Sequence, residues 1–211
     1  MFLRLCIIAA LAVAHAQSAP LTPSKEAVLR EQFQTRQRQT KSWSATFDQT
    51  ISMPGMRQPV VSSGTLLYRS PGSLRLDFTK PDGEFVLVTG DQLFLQKAGK
   101  KVSEKSLSRD TAGKPFLSLL GLLRGQPPDE EAMYEPVVSR EDGKYILVLN
   151  LKPDASSRAP KRITNIIDAE TREIREVLVE LPNGGTLRYQ FQEIVRNRAI
   201  AEERFAPPAN R

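Results

Sequence analysis

Between Trp43 and Phe78 apolar and polar side chains alternate with a period of two residues. The apolar members are Trp43, Ala45, Phe47, Leu66, Tyr68, Leu74, Leu76 and Phe78. Ser, Thr, Arg and Asp occupy many of the positions between them, which is typical of antiparallel strands with one buried face. Turn sequences rich in Pro and Gly separate the segments at residues 53–55, 70–72, 80–83 and 89–91. The spacing predicts hairpins and a meander.

Strands are predicted again in the second half of the chain, at Lys144–Lys152, Arg162–Ile167, Ile174–Leu181 and Thr186–Ile194. The last two are joined by Pro182-Asn183-Gly184-Gly185, a hairpin sequence. The total is about nine strands. Segments 85–88, 145–149 and 177–179 are apolar on both sides of the pleat, so both of their faces need a cover. A helix or a ligand could seal one face.

Two helices are predicted around these strands. Thr22-Pro23-Ser24 supplies a helix start, and residues 25–39 follow with Val28, Leu29 and Phe33 on one side of a polar segment. The run from Pro115 to Gly125 is apolar nearly all round, so a helix there must cover other apolar surface or be covered. Together these elements predict an α+β fold, in which helices cover one face of a single curved antiparallel sheet.

The N-terminal segment has the pattern of a cleaved signal peptide. Arg4 precedes the apolar run 5–13, and Ala14-His15-Ala16 supplies a cleavage sequence. The run is shorter than the roughly 18 residues that span a bilayer, which argues against a membrane anchor. We therefore expect a signal peptide at 1–16, a single domain at 17–211 and export to the periplasm.

The charge of the chain argues against binding of nucleic acid. The formal net charge is +6, and loss of Arg4 with the signal peptide leaves +5. The cations are scattered among acids instead of clustering with aromatic residues. Attraction to an anionic partner or to lipid headgroups remains open.

The predicted mature chain has few residues suited to catalysis. Its only histidine and its only cysteine, His15 and Cys6, lie in the signal segment. The common zinc sites and the Ser-His-Asp and Cys-His constellations are therefore excluded, and no phosphate-binding glycine motif is present. We expect no enzyme, no metal and no cofactor. A hydrolytic carboxylate pair stays open in principle, with candidates Glu130/Glu131, Glu141/Asp142, Asp168/Glu170 and Glu202/Glu203.

The order of four sequence features resembles the periplasmic lipoprotein carriers, LolA and its LolA-like relatives. Residues 64–78 resemble the family's glycine, strand, proline turn and strand, and residues 85–95 its pair of apolar strands around an Asp/Gly turn. Lys114-Pro115-Phe116-Leu117 resembles the start of the lid, and Phe205-Ala206-Pro207-Pro208 the closing segment. The resemblance covers nearly the whole chain.

This resemblance implies an open, strongly curved half-barrel whose apolar cavity receives acyl chains beneath a lid helix. It places lipid-binding residues on the strands and the lid at Leu74, Leu76, Phe78, Val86, Val88, Phe116, Leu119 and Leu120. The alternative reading of these residues is an ordinary hydrophobic core, because alternating apolar positions are first of all core positions. In the carriers an arginine directly before the proline helps to hold the lid closed. Here Ser70 stands at that place and Arg69, the candidate lid contact, lies one residue earlier, where a strand side chain points the other way. Carriers in some bacteria also have a further C-terminal strand after the closing segment, whereas this sequence stops three residues after Pro208, at Arg211. Both departures favour a LolA-like relative over a strict orthologue.

The resemblance implies a soluble, monomeric carrier of acylated lipoprotein or lipid cargo. Its expected partners are an inner-membrane release complex and an outer-membrane acceptor. A second hypothesis is an interaction module of the envelope that senses lipid or lipoprotein through the same fold.

Overall fold

Residues 21–109, 114–124, 133–155 and 159–207 are described by a computed structural model. The expected signal peptide and the pair Glu130/Glu131 lie outside these ranges. Within them, no helix has the length and the apolar character needed to span a bilayer.

The two predicted helices are both present. Helix α1 spans Pro23–Arg38, with Thr22 in extended conformation before a proline in the first turn, where its missing N–H costs nothing. Glu26 in the first turn and two arginines in the last turn complement the helix dipole. Helix α2 spans Lys114–Arg124. Arg124, the basic residue of its last turn, is also its final residue.

In the described part of the chain eleven strands form one antiparallel sheet. They are β1 Ser42–Ser52, β2 Val60–Arg69, β3 Ser73–Lys80, β4 Asp82–Thr89, β5 Gln92–Gln96, β6 Ser103–Ser106, β7 Tyr134–Glu141, β8 Lys144–Leu151, β9 Arg162–Asp168, β10 Ile174–Glu180 and β11 Thr186–Arg196. A short 3-10 helix, Glu202–Phe205, follows.

The strand order divides the sheet into two meanders. The order is β6-β5-β4-β3-β2-β1-β11-β10-β9-β8-β7, so the first and the last strand pair at the centre. Strands β6 and β7 are the two free edges, and the connection between them carries α2. The sheet is open and curved, which confirms the predicted half-barrel of the α+β class.

Two of the eleven strands, β6 and β7, were not predicted, and both are edges of the sheet. Strand β6, Ser-Glu-Lys-Ser, is polar throughout because it pairs on one side only and buries little. Strand β7 contains Pro136, which removes a backbone donor and is tolerated at an edge. Neither strand has the apolar alternation that marks the inner strands.

The sheet has an inner face and an outer face. The inner face carries Trp43, Leu66 and Leu74, and both helices cover it, with Phe33 of α1 and Leu120 of α2 in the same core cluster. The outer face carries a smaller cluster of Leu87 and Phe94, which Phe205 of the 3-10 helix covers, with Leu67, Phe85 and Ile200 packed against it. Successive side chains of a strand point to opposite faces of the sheet, so the apolar residues form two separate cores. The larger core lies on the inner face, under the helices.

Candidate functional site

The inner face is lined by apolar side chains from one meander to the other. Register pairs Trp43 of β1 with Tyr68, Tyr68 with Leu74, and Leu74 with Val88, so these side chains form one row across the sheet. The row beside it contains Leu66, Leu76, Val86 and Leu95. Except for Leu95, which is partly buried and packs against them, these side chains belong to the inner core cluster.

The centre of the inner face is built from aromatic rings. Trp43 meets Phe191 edge to face at 5.2 Å between centroids, and Phe47 meets Phe78 in the same way at 5.4 Å. Gly64 lies beneath Phe47, and a Cβ there would overlap the Phe47 ring and the carbonyl of Asp77. The glycine therefore allows β2, β3 and the aromatic ring to approach one another closely.

The structure brings together the eight apolar residues named from the sequence. Leu74, Leu76, Val86 and Val88 are buried on the inner face, and Phe78 is partly buried beside them. From α2, Leu119 and Leu120 are buried in the same cluster, and Phe116 packs against it. The described residues thus form a closed apolar layer between α2 and the sheet.

The two meanders differ in how completely their inner surface is covered. On β3, Leu74 and Leu76 are fully buried. On β8, the inner-face residues Leu147 and Leu149 pack against the same core but remain only half-buried. Apolar surface therefore extends along β8 beyond the part that the protein itself seals.

A single amide interrupts this apolar lining on the second meander. Asn165 of β9 pairs with Leu147 and with Val177, which places it on the inner face. It is buried, and its Oδ1 has no hydrogen-bond partner within the described residues. A buried acceptor without a donor is costly, which sets this amide apart from the apolar lining around it.

Helix α2 is anchored to the sheet by Arg124 at its C-terminal end. The guanidinium lies against the turn between β2 and β3, where a Cβ at Gly72 would overlap it. Burial raises the pKa of Tyr68, while hydrogen bonds from Ser70 and Arg124 and the charge of Arg124 counteract part of that rise. The contact of arginine with the proline turn is therefore made by a residue of α2. One feature of the sequence could have indicated this contact. Arg124 is a single basic residue at the end of an otherwise apolar predicted helix.

Arg69 lies on the other side of the sheet. Its guanidinium is 3.5 Å from the carboxylate of Glu202 and 4.9 Å from the centroid of the Phe205 ring. The one-residue step from Ser70 turns the side chain to the outer face, away from the lid position that the resemblance suggested. Arg69 instead contacts the 3-10 helix that covers the outer core.

A buried ionic cluster ties α1 to the centre of the sheet. Arg196 of β11 donates from Nε to both carboxylate oxygens of Glu173, at 2.8 and 2.9 Å. Arg36 of α1 donates to the same carboxylate at 2.9 Å, and Trp43 Nε1 at 3.4 Å. Burial alone would raise the pKa of Glu173, but the hydrogen bonds from the two arginines outweigh it and lower the pKa below its ordinary value. Sequence reasoning missed this cluster because its members lie far apart along the chain.

Two of the described carboxylates named from the sequence, Asp168 and Glu202, do not have the environment of a general acid. The pKa of Asp168 is lowered, mainly because the backbone N–H of Thr171 donates to it, and Glu202 is exposed in its ion pair with Arg69. Among the described residues, no three His, Cys, Asp or Glu side chains gather in a way that would hold a metal ion. A polar depression of about 480 Å³ lies at the β5–β6 edge and not on the inner face, and its lining comprises Asp91, Gln92, Glu104, Lys105, Ser106 and Arg109.

Comparison with known proteins gives one family match and several structural matches. A family model described as outer membrane lipoprotein carrier protein LolA matches residues 38–208. No curated protein matches the chain. An uncharacterized conserved protein from Thermus thermophilus has a similar structure, with a TM-score of 0.54, 10% identity, and coverage of 88% of this chain and 96% of that chain.

Two further structures are similar at lower TM-scores. A LolA superfamily protein from Nitrosomonas europaea has a TM-score of 0.44 and 10% identity, and the match covers 86% of this chain and 97% of that chain. The lipoprotein LppX from Mycobacterium tuberculosis has a TM-score of 0.46 and 11% identity, with coverage of 84% and 98%. At these identities the likeness concerns the fold alone.

Proposed function

The chain belongs to the LolA family of outer membrane lipoprotein carriers, and from this premise we propose that it is a periplasmic carrier of acyl chains. It takes up the acyl chains of lipoproteins or other lipids against the inner face and moves them towards the outer membrane. An inner-membrane release complex supplies the cargo, and an outer-membrane acceptor receives it. The carrier performs no covalent chemistry.

One observation supports this proposal more than any other, namely the unequal cover of the inner face. Leu147 and Leu149 of β8 leave apolar surface part-exposed next to a closed core. Hydrocarbon that covers such a surface is removed from water together with it, and that removal drives association. In this proposal cargo therefore starts on β8 and extends under α2.

The residues named from the sequence then have separate roles. Leu74, Leu76, Phe78, Val86 and Val88 form the sheet side of the space that acyl chains enter when α2 moves. Phe116, Leu119 and Leu120 form the lid side and cover the core when no cargo is bound. The free Oδ1 of Asn165 accepts a hydrogen bond from a polar group near the acyl chain, such as an amide N–H.

The energetics suit a carrier that must also release its cargo. Burial of one methylene is worth about 0.8 kcal/mol, so an acyl chain of roughly 15 methylenes gains about 12 kcal/mol gross. Displacement of α2 offsets part of this gain, because Leu120 and Leu123 leave the core and Arg124 leaves the β2–β3 turn. The lid therefore limits the affinity.

The test compares two faces of one strand. Leu147→Gln and Leu149→Gln place an amide on the half-buried inner face of β8, and Val148→Gln places the same amide on its half-buried outer face. We expect the inner-face variants to bind a fluorescent N-palmitoylated peptide at least tenfold more weakly, and Val148→Gln to bind it like the unchanged protein. Titration followed by fluorescence anisotropy measures this.

Equal weakening by all three substitutions would contradict the proposal, as would an unchanged protein that does not bind the peptide. Recovery of one stable protein partner without acylated cargo would favour an envelope sensor instead. Circular dichroism of each variant shows whether the sheet is retained.

A further inference from the structure

One end of the sheet gathers five connections between strands. The β1–β2 connection is 53–59, β3 and β4 meet at 80–82, the β5–β6 connection is 97–102, the β8–β9 connection is 152–161, and the β10–β11 connection is 181–185. Register places them together, since Ile51 pairs with Val60, Ser63 with Lys80, and Ser52 with Thr186. We call this the hairpin end. The turn that Arg124 contacts lies at the opposite end.

Exposed apolar side chains concentrate at the hairpin end. On the β1–β2 hairpin, Met56, Val60 and Val61 are 46%, 48% and 63% exposed. On the β5–β6 hairpin, Val102 is 36% exposed. These four are a majority of the large apolar side chains that stand exposed in the described chain. All four lie on two hairpins at the same end of the sheet.

The same hairpins carry an excess of cations. The Lys and Arg residues in and beside the connections of the hairpin end, including the β8–β9 connection, are Arg57, Lys80, Lys97, Lys100, Lys101, Lys152, Lys161 and Arg162. The acidic residues there are Asp82, Glu84, Asp154 and Glu180. Within the described ranges, Arg57, Lys100 and Lys101 form no ion pair, so their charge is available to an anionic partner.

Internal contacts hold both hairpins in place. Asn183 of the β10–β11 turn lies 3.9 Å from the Met53 sulfur at the base of the β1–β2 hairpin. In the β5–β6 hairpin, the Gln96 amide donates to the carbonyls of Lys97 and Lys100, at 3.1 and 2.5 Å. The backbone N–H of Ala98 donates to Glu84 at 3.2 Å. These contacts hold the two hairpin tips in fixed positions. The tips therefore lose little conformational entropy when they bind a partner.

We propose that the hairpin end docks the protein on the surface of an anionic phospholipid bilayer. The four apolar side chains enter the interface, while the neighbouring lysines and Arg57 meet phosphate and acidic headgroups. This combination of apolar insertion and attraction to anionic lipid is how proteins bind membranes peripherally. A protein groove fits less well, because the apolar residues lie on two separate tips with cations beside both. The proposal does not depend on the bound acyl chain.

The test measures sedimentation of the full chain with vesicles. One set of vesicles contains phosphatidylglycerol and phosphatidylethanolamine, and the other contains phosphatidylcholine only. The paired variants are Met56→Ser with Val61→Ser, and Lys100→Gln with Lys101→Gln. The matched controls lie towards the opposite end, Val195→Ser, which is 42% exposed, and Arg38→Gln with Lys41→Gln.

We expect the unchanged protein to bind the anionic vesicles, less so as salt is raised, and to bind the neutral vesicles at least tenfold more weakly. The lysine pair should lower the anionic partition about tenfold or more, because each cation near such a surface is worth about a fivefold change in binding. The apolar pair should lower it about tenfold, because two apolar side chains no longer enter the interface. Both controls should leave the partition within twofold.

Equal binding to the two kinds of vesicle would overturn the proposal, as would equal loss in the controls or no binding at all. A hairpin pair that keeps vesicle binding but loses a captured protein would assign the surface to a protein partner and also overturn it. The palmitoylated-peptide titration on the same variants should be unchanged. That readout separates failure of membrane docking from failure of the carrier proposal.

Discussion

At the scale of single residues, Glu173 stands out because it holds three different parts of the chain together. It accepts hydrogen bonds from β11 through Arg196, from α1 through Arg36 and from β1 through Trp43. The carboxylate and Arg196 are nearly buried. A buried charge whose partner is removed is strongly destabilising, even where the intact pair adds little to stability.

Replacement of Glu173 by Gln should lower the free energy of unfolding at pH 7 by about 3 kcal/mol, because both arginines lose their counter-charge. The pKa of Glu173 lies below its ordinary value of 4.5 in the folded protein, so its contribution is complete above that pH. The contribution is lost as the pH falls through the lowered pKa. Urea unfolding at pH 7 and at pH 3 should therefore show a difference between variant and unchanged protein that shrinks in acid.

Glu202→Gln is the control for this experiment. Its carboxylate is exposed and lies 3.5 Å from Arg69, so its loss should change stability by less than about 0.5 kcal/mol. A difference for Glu173→Gln that is the same at both pH values would show that its charge is not responsible.

At the scale of elements, the sequence predicted those parts whose signal is local. Alternation located β1 to β3, segments that are apolar on both faces located β4, β8 and β10, and a continuous apolar run located α2. The strands that were not predicted, β6 and β7, are edges, where half of the pairing and most of the burial are absent. The contacts of Arg124 and Glu173 were not predicted for a different reason. They join residues that lie far apart in the sequence and that only the folded chain brings together. The apolar lining of the inner face was predicted from alternation. The difference in burial between β3 and β8 on that face was not.

The Arg124 contact predicts how firmly α2 is held. Arg124→Gln removes the cation that packs against Gly72 and Tyr68. Loss of one charged hydrogen bond should make amide hydrogen exchange in residues 116–124 about tenfold faster. Hydrogen exchange followed by mass spectrometry measures it. Gly72→Ala should give the same result, because the added Cβ occupies the place of the guanidinium.

Arg109→Gln is the matched control, since Arg109 is exposed and its described hydrogen bonds go to Ser106. Unchanged exchange in 116–124 after Arg124→Gln would mean that the apolar residues alone hold α2.

At the scale of the whole molecule, both meanders share one sheet and one inner core. Strands β1 and β11 pair along nearly their full length, and the inner cluster contains residues from both sides of that pair. There is thus no boundary at which one half could separate without breaking the central ladder.

We therefore expect unfolding in a single transition. Trp43 is the one tryptophan of the chain and is fully buried at the centre, so its fluorescence reports the central ladder. Its urea midpoint should coincide with that of far-UV circular dichroism, which reports all strands. Two separated midpoints would show that the meanders unfold independently.

The strand order also determines when the molecule can be completed during synthesis. Strand β1 is made early, yet its neighbour β11 is the last of the described strands to be made. Until residue 196 has emerged, one side of β1 presents bare N–H and C=O groups that other chains could pair with. The nascent protein therefore needs protection from aggregation until its final strand arrives, and closure across so many residues is inherently slow.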